Sequence, residues 1–207
     1  MQHQAFLVEI LTPNYNHMKK KKIEFYKLFK PIAEDRKLST NAKLVAMYIY
    51  TLASFGMKVT ASNLLISNSI NLTKEEVLEA IETLQKNEYI SDLRGVEYKK
   101  NIEIHKNDAL KANYYKFFSS VLESDLHILS KFLQVYILSY ENFNSFCYST
   151  NKDILKDLAF EQFELNFAIL QLKRKKLLTI INPRTRLREL RIGKTLTKNS
   201  KNWWDKP

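Results

Sequence analysis

The sequence predicts a mainly helical α+β fold built twice in tandem, each copy holding three helices and a small β-hairpin. Three observations predict it. Helical periodicities opened by capping signals alternate with short β-rich runs. The chain repeats its own pattern at a spacing near 88 residues. A length of 207 residues, 45% hydrophobic and 12% aromatic, suffices for a real core and for one large or two small domains.

The elements follow in order. Residues 25–33 read as a short aromatic helix. Ser39 can cap a helix running to about Phe55, with Leu44, Tyr48 and Leu52 on one face. Thr60 or Ser62 starts a short helix near Leu64 and Leu65. Thr73 and Glu76 form a capping box: the Thr side chain takes an orphan N–H and the Glu side chain returns the bond. The helix they open places Val77, Ala80, Ile81 and Leu84 on one face. Residues 89–93, a turn at Arg94-Gly95 and residues 96–104 then read as a hairpin. The second copy has helices near 125–141, 153–157 and 160–176, and a hairpin of residues 177–181 and 187–192.

The repetition is carried by four blocks in common order. Phe25-Tyr26-Lys27-Leu28-Phe29 reappears as Tyr114-Tyr115-Lys116-Phe117-Phe118, 89 residues on. Lys43-Leu44 and Tyr48-Ile49 reappear as Lys131-Phe132 and Tyr136-Ile137, 88 on. Thr60 and Leu65 match Thr150 and Leu155 at 90. Ala80-Ile81, Leu84, Lys86 and Ile90 match Ala168-Ile169, Leu172, Arg174 and Leu178 at 88. The period is too long for the common solenoid repeats. It sets expected boundaries: an N-terminal arm over 1–22, a first domain over 23–108, a second over 109–195, and a basic tail over 196–207.

Three helices and a hairpin in about 80 residues is the winged-helix order. With phrases such as Leu38-Ser39-x-x-Ala42-Lys43-Leu44 and Ile81-x-x-Leu84-x-x-x-x-Tyr89-Ile90, the chain resembles the tandem winged-helix replication initiators of plasmids and phages. Each half also resembles the winged-helix part of the DnaD-like replisome organisers. The resemblance spans about residues 23–195 and implies two winged-helix domains, self-association through the first, a DNA grip by the second, and contacts with other replication proteins. Fold alone does not settle function. A transcriptional regulator and a protein-interaction scaffold built on winged helices are the alternatives.

Charge is sharply partitioned. The net charge is +11. Residues 173–207 carry twelve Lys/Arg against two acids, and residues 19–30 carry six against one, so the remainder sums to −4. Such a directional field suits a polyanion partner, with double-stranded DNA expected here; a merely solvated surface is the plain alternative. Lys173, Arg174, Lys175 and Lys176 end the last predicted helix, where cations also suit the helix dipole. Arg184, Arg186, Arg188 and Arg191 fall on the following hairpin, and Lys194, Lys198 and Lys201 on the tail. Guanidinium forks suit phosphates or a narrow minor groove, contacts that position without specifying sequence. Lys19, Lys20, Lys21 and Lys22 read as an N-terminal arm, either a second contact or a solvated run.

The third helices test sequence reading. A groove-reading helix should offer polar or basic side chains outward. The first offers Glu75, Glu79 and Glu82, which repel phosphate and form either a solvated face or a docking face. The second is apolar on two opposed faces, Leu165, Ala168, Ile169 and Leu172 on one and Phe160, Phe163, Phe167 and Leu170 on the other. Either the two halves pack there or it is a self-association or partner surface, giving an expected homo-oligomer.

Other chemistries are excluded or weak. Three glycines, Gly56, Gly95 and Gly193, preclude the Gly-rich phosphate loops, and one cysteine, Cys147, precludes an internal disulfide or a Cys-based zinc site. The four histidines are scattered, and no nucleophile–base arrangement is apparent, so neither an enzyme nor a metal or other cofactor is expected. The longest apolar run, 44–57, is too short for a bilayer, and no secretory signal is apparent; with a lone thiol this suggests a reducing cytoplasm and no membrane partner. Tyr114 and Tyr115 could stack bases, but their recurrence at Phe25-Tyr26 favours a core or interface role. Trp203 and Trp204 could dock on this chain, on a partner or on nucleic acid.

Overall fold

The computed structural model describes residues 23–56, 59–91, 100–102, 104–141, 147–181 and 189–193. They form a mainly helical fold with small antiparallel hairpins flanked by helices. The first half runs β1 (Phe25–Phe29), α1 (Lys30–Ala33), α2 (Thr40–Ser54), β2 (Val59–Ala61), α3 (Asn63–Ile70), α4 (Lys74–Lys86) and β3 (Lys100–Ile102). After a 3₁₀ turn at Asn107–Lys111, the second runs β4 (Tyr114–Phe118), α5 (Ser119–Leu122), α6 (Ile128–Glu141), α7 (Asn151–Asp157), α8 (Gln162–Arg174), β5 (Leu178–Ile181) and β6 (Glu189–Ile192).

The capping chemistry sets the helix starts. Ser39 accepts from the Ala42 N–H at the head of α2, and Ser62 from Leu65 at the head of α3. Thr73 and Glu76 close the capping box of α4, and Thr150 with Asp153 closes another on α7. Helix α8 starts two residues later than its periodicity suggests, on a box formed by Glu161 and Glu164. Each half ends its third helix and its short helix alike: Asn71 and Ala159 (φ 58° and 52°), then Glu88 and Lys176 (φ 59° and 58°), are left-handed at a spacing of 88.

One expectation fails at the start of the first half. Residues 25–29 are a strand rather than part of a helix; only Lys30–Ala33 is helical. The reason is a partner 89 residues away. β1 pairs antiparallel with β4 in the register Phe25↔Phe118, Lys27↔Lys116 and Phe29↔Tyr114, so the two copies of one phrase cross about a local two-fold at Lys27 and Lys116. The bonds flanking the ladder obey the same symmetry: the Lys30 N–H donates to Asn113 O at 2.9 Å and the Ser119 N–H to Glu24 O at 3.1 Å. Pleating sends Tyr26, Leu28, Tyr115 and Phe117 inward. Phe117 meets Phe132 edge-on at 5.4 Å, and Tyr26 and Tyr115 lie 5.9 and 5.7 Å from the matching Tyr48 and Tyr136.

Two buried lysines repeat as well. Lys131, 5% exposed as a residue, donates its amine to Leu122 O at 2.6 Å, and Lys43, 3% exposed, to the equivalent Ala33 O at 2.7 Å. Lys43 also donates to Leu158 O at 2.8 Å, tying α2 of the first half to the end of α7 in the second. The halves share one connected core.

Each half also carries a β-bridge between its first and second major helices that the residue pattern did not reveal. β2 pairs with β3, Val59 opposite Ile102, and Cys147 bridges Leu190 at the equivalent positions. The second-strand contacts match too, with Ile90 bridging Ile104 and Leu178 opposite Ile192. Strands β5 and β6 fall close to the expected hairpin of the second half. The expected Arg94-Gly95 turn lies outside the described residues.

Candidate nucleic-acid and protein interface

Helix α8 has to satisfy two environments. Leu165, Ala168 and Leu172 are buried, with Ile169 packed against the core, so one face is committed to the fold. The opposite face is not covered. Phe163 is 71% exposed, Phe167 44% and Leu170 49%. The expectation that the halves pack together through these surfaces is therefore corrected: the β1–β4 ribbon joins them and leaves this stripe open. Phe160 is also corrected. It precedes α8, is 4% exposed and packs within 6.4 Å of the Phe132 ring, so it belongs to the core and not to the outer face. His127, at the head of α6, lies edge-on to Phe167 at 4.9 Å, and its backbone N–H donates to Gln171 Oε1 at 3.0 Å.

The corresponding face of α4 has the opposite chemistry. Glu75, Glu79 and Glu82 are exposed there. At the spacing of 88 they are the counterparts of Phe163, Phe167 and Leu170. Neither face has the polar or basic character of a base-reading helix.

The basic residues collect at one end of α8. Lys173, Arg174, Lys175 and Lys176 are exposed around its last turn, where the unpaired carbonyls favour cations. Lys175 pairs with Asp125 at 2.5 Å and holds that carboxyl below its usual range. Lys173, Arg174 and Lys176 have no ion pair with a described residue. Arg191 on β6 is paired with Glu189 of the same strand, which lowers its availability to a phosphate. Arg184, Arg186, Arg188, Lys194, Lys198, Lys201, Lys19, Lys20, Lys21 and Lys22, with Trp203 and Trp204, lie outside the described residues. β5 ends at Ile181 and pairs with β6, which begins at Glu189.

Sequence reading missed a second cationic place. Lys27 and Lys116 meet at the centre of the β1–β4 ribbon, on its outer face. The Lys27 amine lies 4.7 Å from the Phe55 ring centroid and 5.2 Å from that of Tyr114, and Lys116 lies 5.4 Å from Phe25. Tyr114 is partly exposed whereas Tyr115 is buried, so the tyrosine pair is split between surface and core. Recognising that the two phrases pair with each other was the missing signal.

Among the described residues there is no group of three or more His, Cys, Asp or Glu side chains able to hold a metal ion. Among those residues no helix is long and apolar enough to cross a membrane. Comparison with protein-family models, with curated proteins and with solved structures gives no match.

Proposed function

We propose that this chain is a DNA-binding protein of two winged helices in tandem, over residues 23–108 and 109–195, acting in replication initiation or replisome organisation of a plasmid or phage. The observation that carries the DNA-binding reading is the concentration of basic residues in one stretch of the chain that follows the exposed end of α8. The exposed Lys173, Arg174 and Lys176 sit beside a hairpin whose intervening segment holds Arg184, Arg186 and Arg188. The recurrent order of helix, strand, helix, helix and hairpin supports the tandem winged-helix part of the reading. The role in replication rests on the resemblance of element order and phrases alone. The grip is to phosphates through the end of α8, the second hairpin and the tail; it needs no catalysis and no cofactor. Exposed carboxylates on α4 and an apolar outer face on α8 argue against a regulator that reads bases with its third helix.

Fluorescence anisotropy with labelled duplex and single-stranded DNA at several salt concentrations tests this. With about six to eight phosphate contacts, log K falls against log salt with a slope of about −5 to −7 on duplex. Replacing Arg184, Arg186 and Arg188 together with Ala weakens binding similarly on all sequences and flattens that slope. Absence of binding at low salt refutes the DNA reading and favours the interaction-scaffold alternative, for which the open Phe163, Phe167 and Leu170 stripe is the specific support.

A further inference from the structure

We infer that the outer face of α8 is the contact of a two-fold homodimer in which the α8 helices of two copies pack antiparallel. The inference does not depend on nucleic-acid binding. Phe163, Phe167 and Leu170 recur at i, i+4 and i+7, and Arg174 continues the same line at i+11, so the stripe ends in a cation at the helix C-terminus. The other end of α8 is acidic, with Glu161 and Glu164 in its capping box. A helix with an apolar middle, a negative N-terminal end and a positive C-terminal end is complementary to itself when reversed.

The register follows from the geometry. Phe167 is central in the stripe and sits on the two-fold, facing its own copy, while Phe163 of one chain meets Leu170 of the other. At a rise of about 1.5 Å per residue, Arg174 lies about 10 Å from the axis along one helix, and Glu161 about 9 Å from it in the other direction. The two-fold therefore lays the basic last turn of each α8, which carries Arg174, alongside the acidic first turn of the other. Reversed helices also oppose their dipoles favourably. Such an interface is isologous and closes, so association stops at two. Three exposed side chains per copy are fewer than a standard interface needs, so the dimer is reversible and concentration-dependent rather than obligate.

The test is sedimentation velocity on the full chain, freed of nucleic acid, from about 1 to 100 μM. The expected result is a monomer–dimer equilibrium in that range. Phe163→Ser with Phe167→Ser abolishes it, and Arg174→Glu weakens it about tenfold. Cysteine cross-linking fixes the geometry and serves even where the double serine variant fails to fold. Phe167→Cys, on the axis, forms a disulfide-linked dimer on mild oxidation. Lys173→Cys, six residues from the axis and about 18 Å from its copy, does not. The native Cys147 is buried and gives no background. A wild-type chain that stays monomeric to 100 μM overturns the inference, as does equal cross-linking from both positions. A monomeric wild type whose tryptophan emission shifts when the stripe is replaced assigns the face to the chain's own Trp203-Trp204 segment. A monomeric wild type whose DNA affinity alone drops assigns it to DNA. Either result also overturns the dimer.

Discussion

Lys43 offers a sharp test of how the halves are joined. Burial pushes its amine down from 10.5 to about 8, against the opposing pull of the Asp35 and Glu164 carboxylates. Both Ala33 O and Leu158 O accept from it, and an uncharged amine retains two protons to donate. The folded chain therefore releases this proton earlier than the unfolded chain does. Between the two values the unfolded state binds more protons, so stability rises with pH through that window. Below about pH 8 the charged amine is present in both states and its desolvation cost is fully felt. From pH 7 to pH 9 the gain is about 1 kcal/mol. Burial also raises Tyr26, Tyr50 and Tyr89, an effect that removes stability as pH climbs past their ordinary value of 10.0. The window below pH 9 is thus the informative one. Urea unfolding of wild type and Lys43→Met at pH 7, 8 and 9 cancels the shared tyrosine contribution. The wild type should gain about 1 kcal/mol on the variant across the series. A difference that stays flat refutes the buried, carbonyl-bound amine and with it this tie between α2 and α7.

Further predictions follow from the comparison of the two halves. The Tyr136 hydroxyl donates to Asp157 Oδ2 at 2.9 Å and also lies 2.9 Å from Ser149 Oγ, whereas that of Tyr48 faces Ser69 without reaching hydrogen-bond geometry. Tyr136→Phe should cost about 1–2 kcal/mol in urea unfolding and Tyr48→Phe only a few tenths of that. Ala159 holds a left-handed φ of 52° with a Cβ to accommodate, so Ala159→Gly should raise stability by about 0.5 kcal/mol, read as a higher urea midpoint at unchanged slope. Asn71→Ala, at the equivalent turn, should lower the midpoint, since Asn tolerates that conformation better than Ala.

What the sequence reveals and what it hides divide along sequence distance. Ser39, Thr73 with Glu76, and the 3.6-residue spacing of Val77, Ala80, Ile81 and Leu84 act within one or two helical turns, and they locate α2 and α4 closely. Phe25–Phe29 acts across 89 residues. Locally its five large side chains suit an amphipathic turn of helix as well as a strand, and only the distant copy supplies the ladder. Val59–Ala61 is three residues long and also depends on distant Lys100–Ile102, so no local period could disclose it. The candidate site behaves in the same way. The period of α8 correctly exposes two apolar faces, yet only the tertiary arrangement decides which is covered. Extending that period to Phe160 fails because the helix begins at Gln162.

The two third helices separate what folding requires from what it leaves open. On their inner faces Val77, Ala80, Ile81 and Leu84 correspond at 88 residues to Leu165, Ala168, Ile169 and Leu172, apolar in both halves because both pack on a core. On their outer faces three carboxylates correspond to two phenylalanines and a leucine. The first half shows that helix and turn form with Glu75, Glu79 and Glu82 at those positions, so the fold places no apolar demand there. Clustered exposed rings carry an aggregation risk that isolated surface apolar residues do not. Their presence on α8 and not on the matching face of α4 therefore calls for a contact outside the core, and the opposite charges at the two ends of that same helix match a reversed copy of itself.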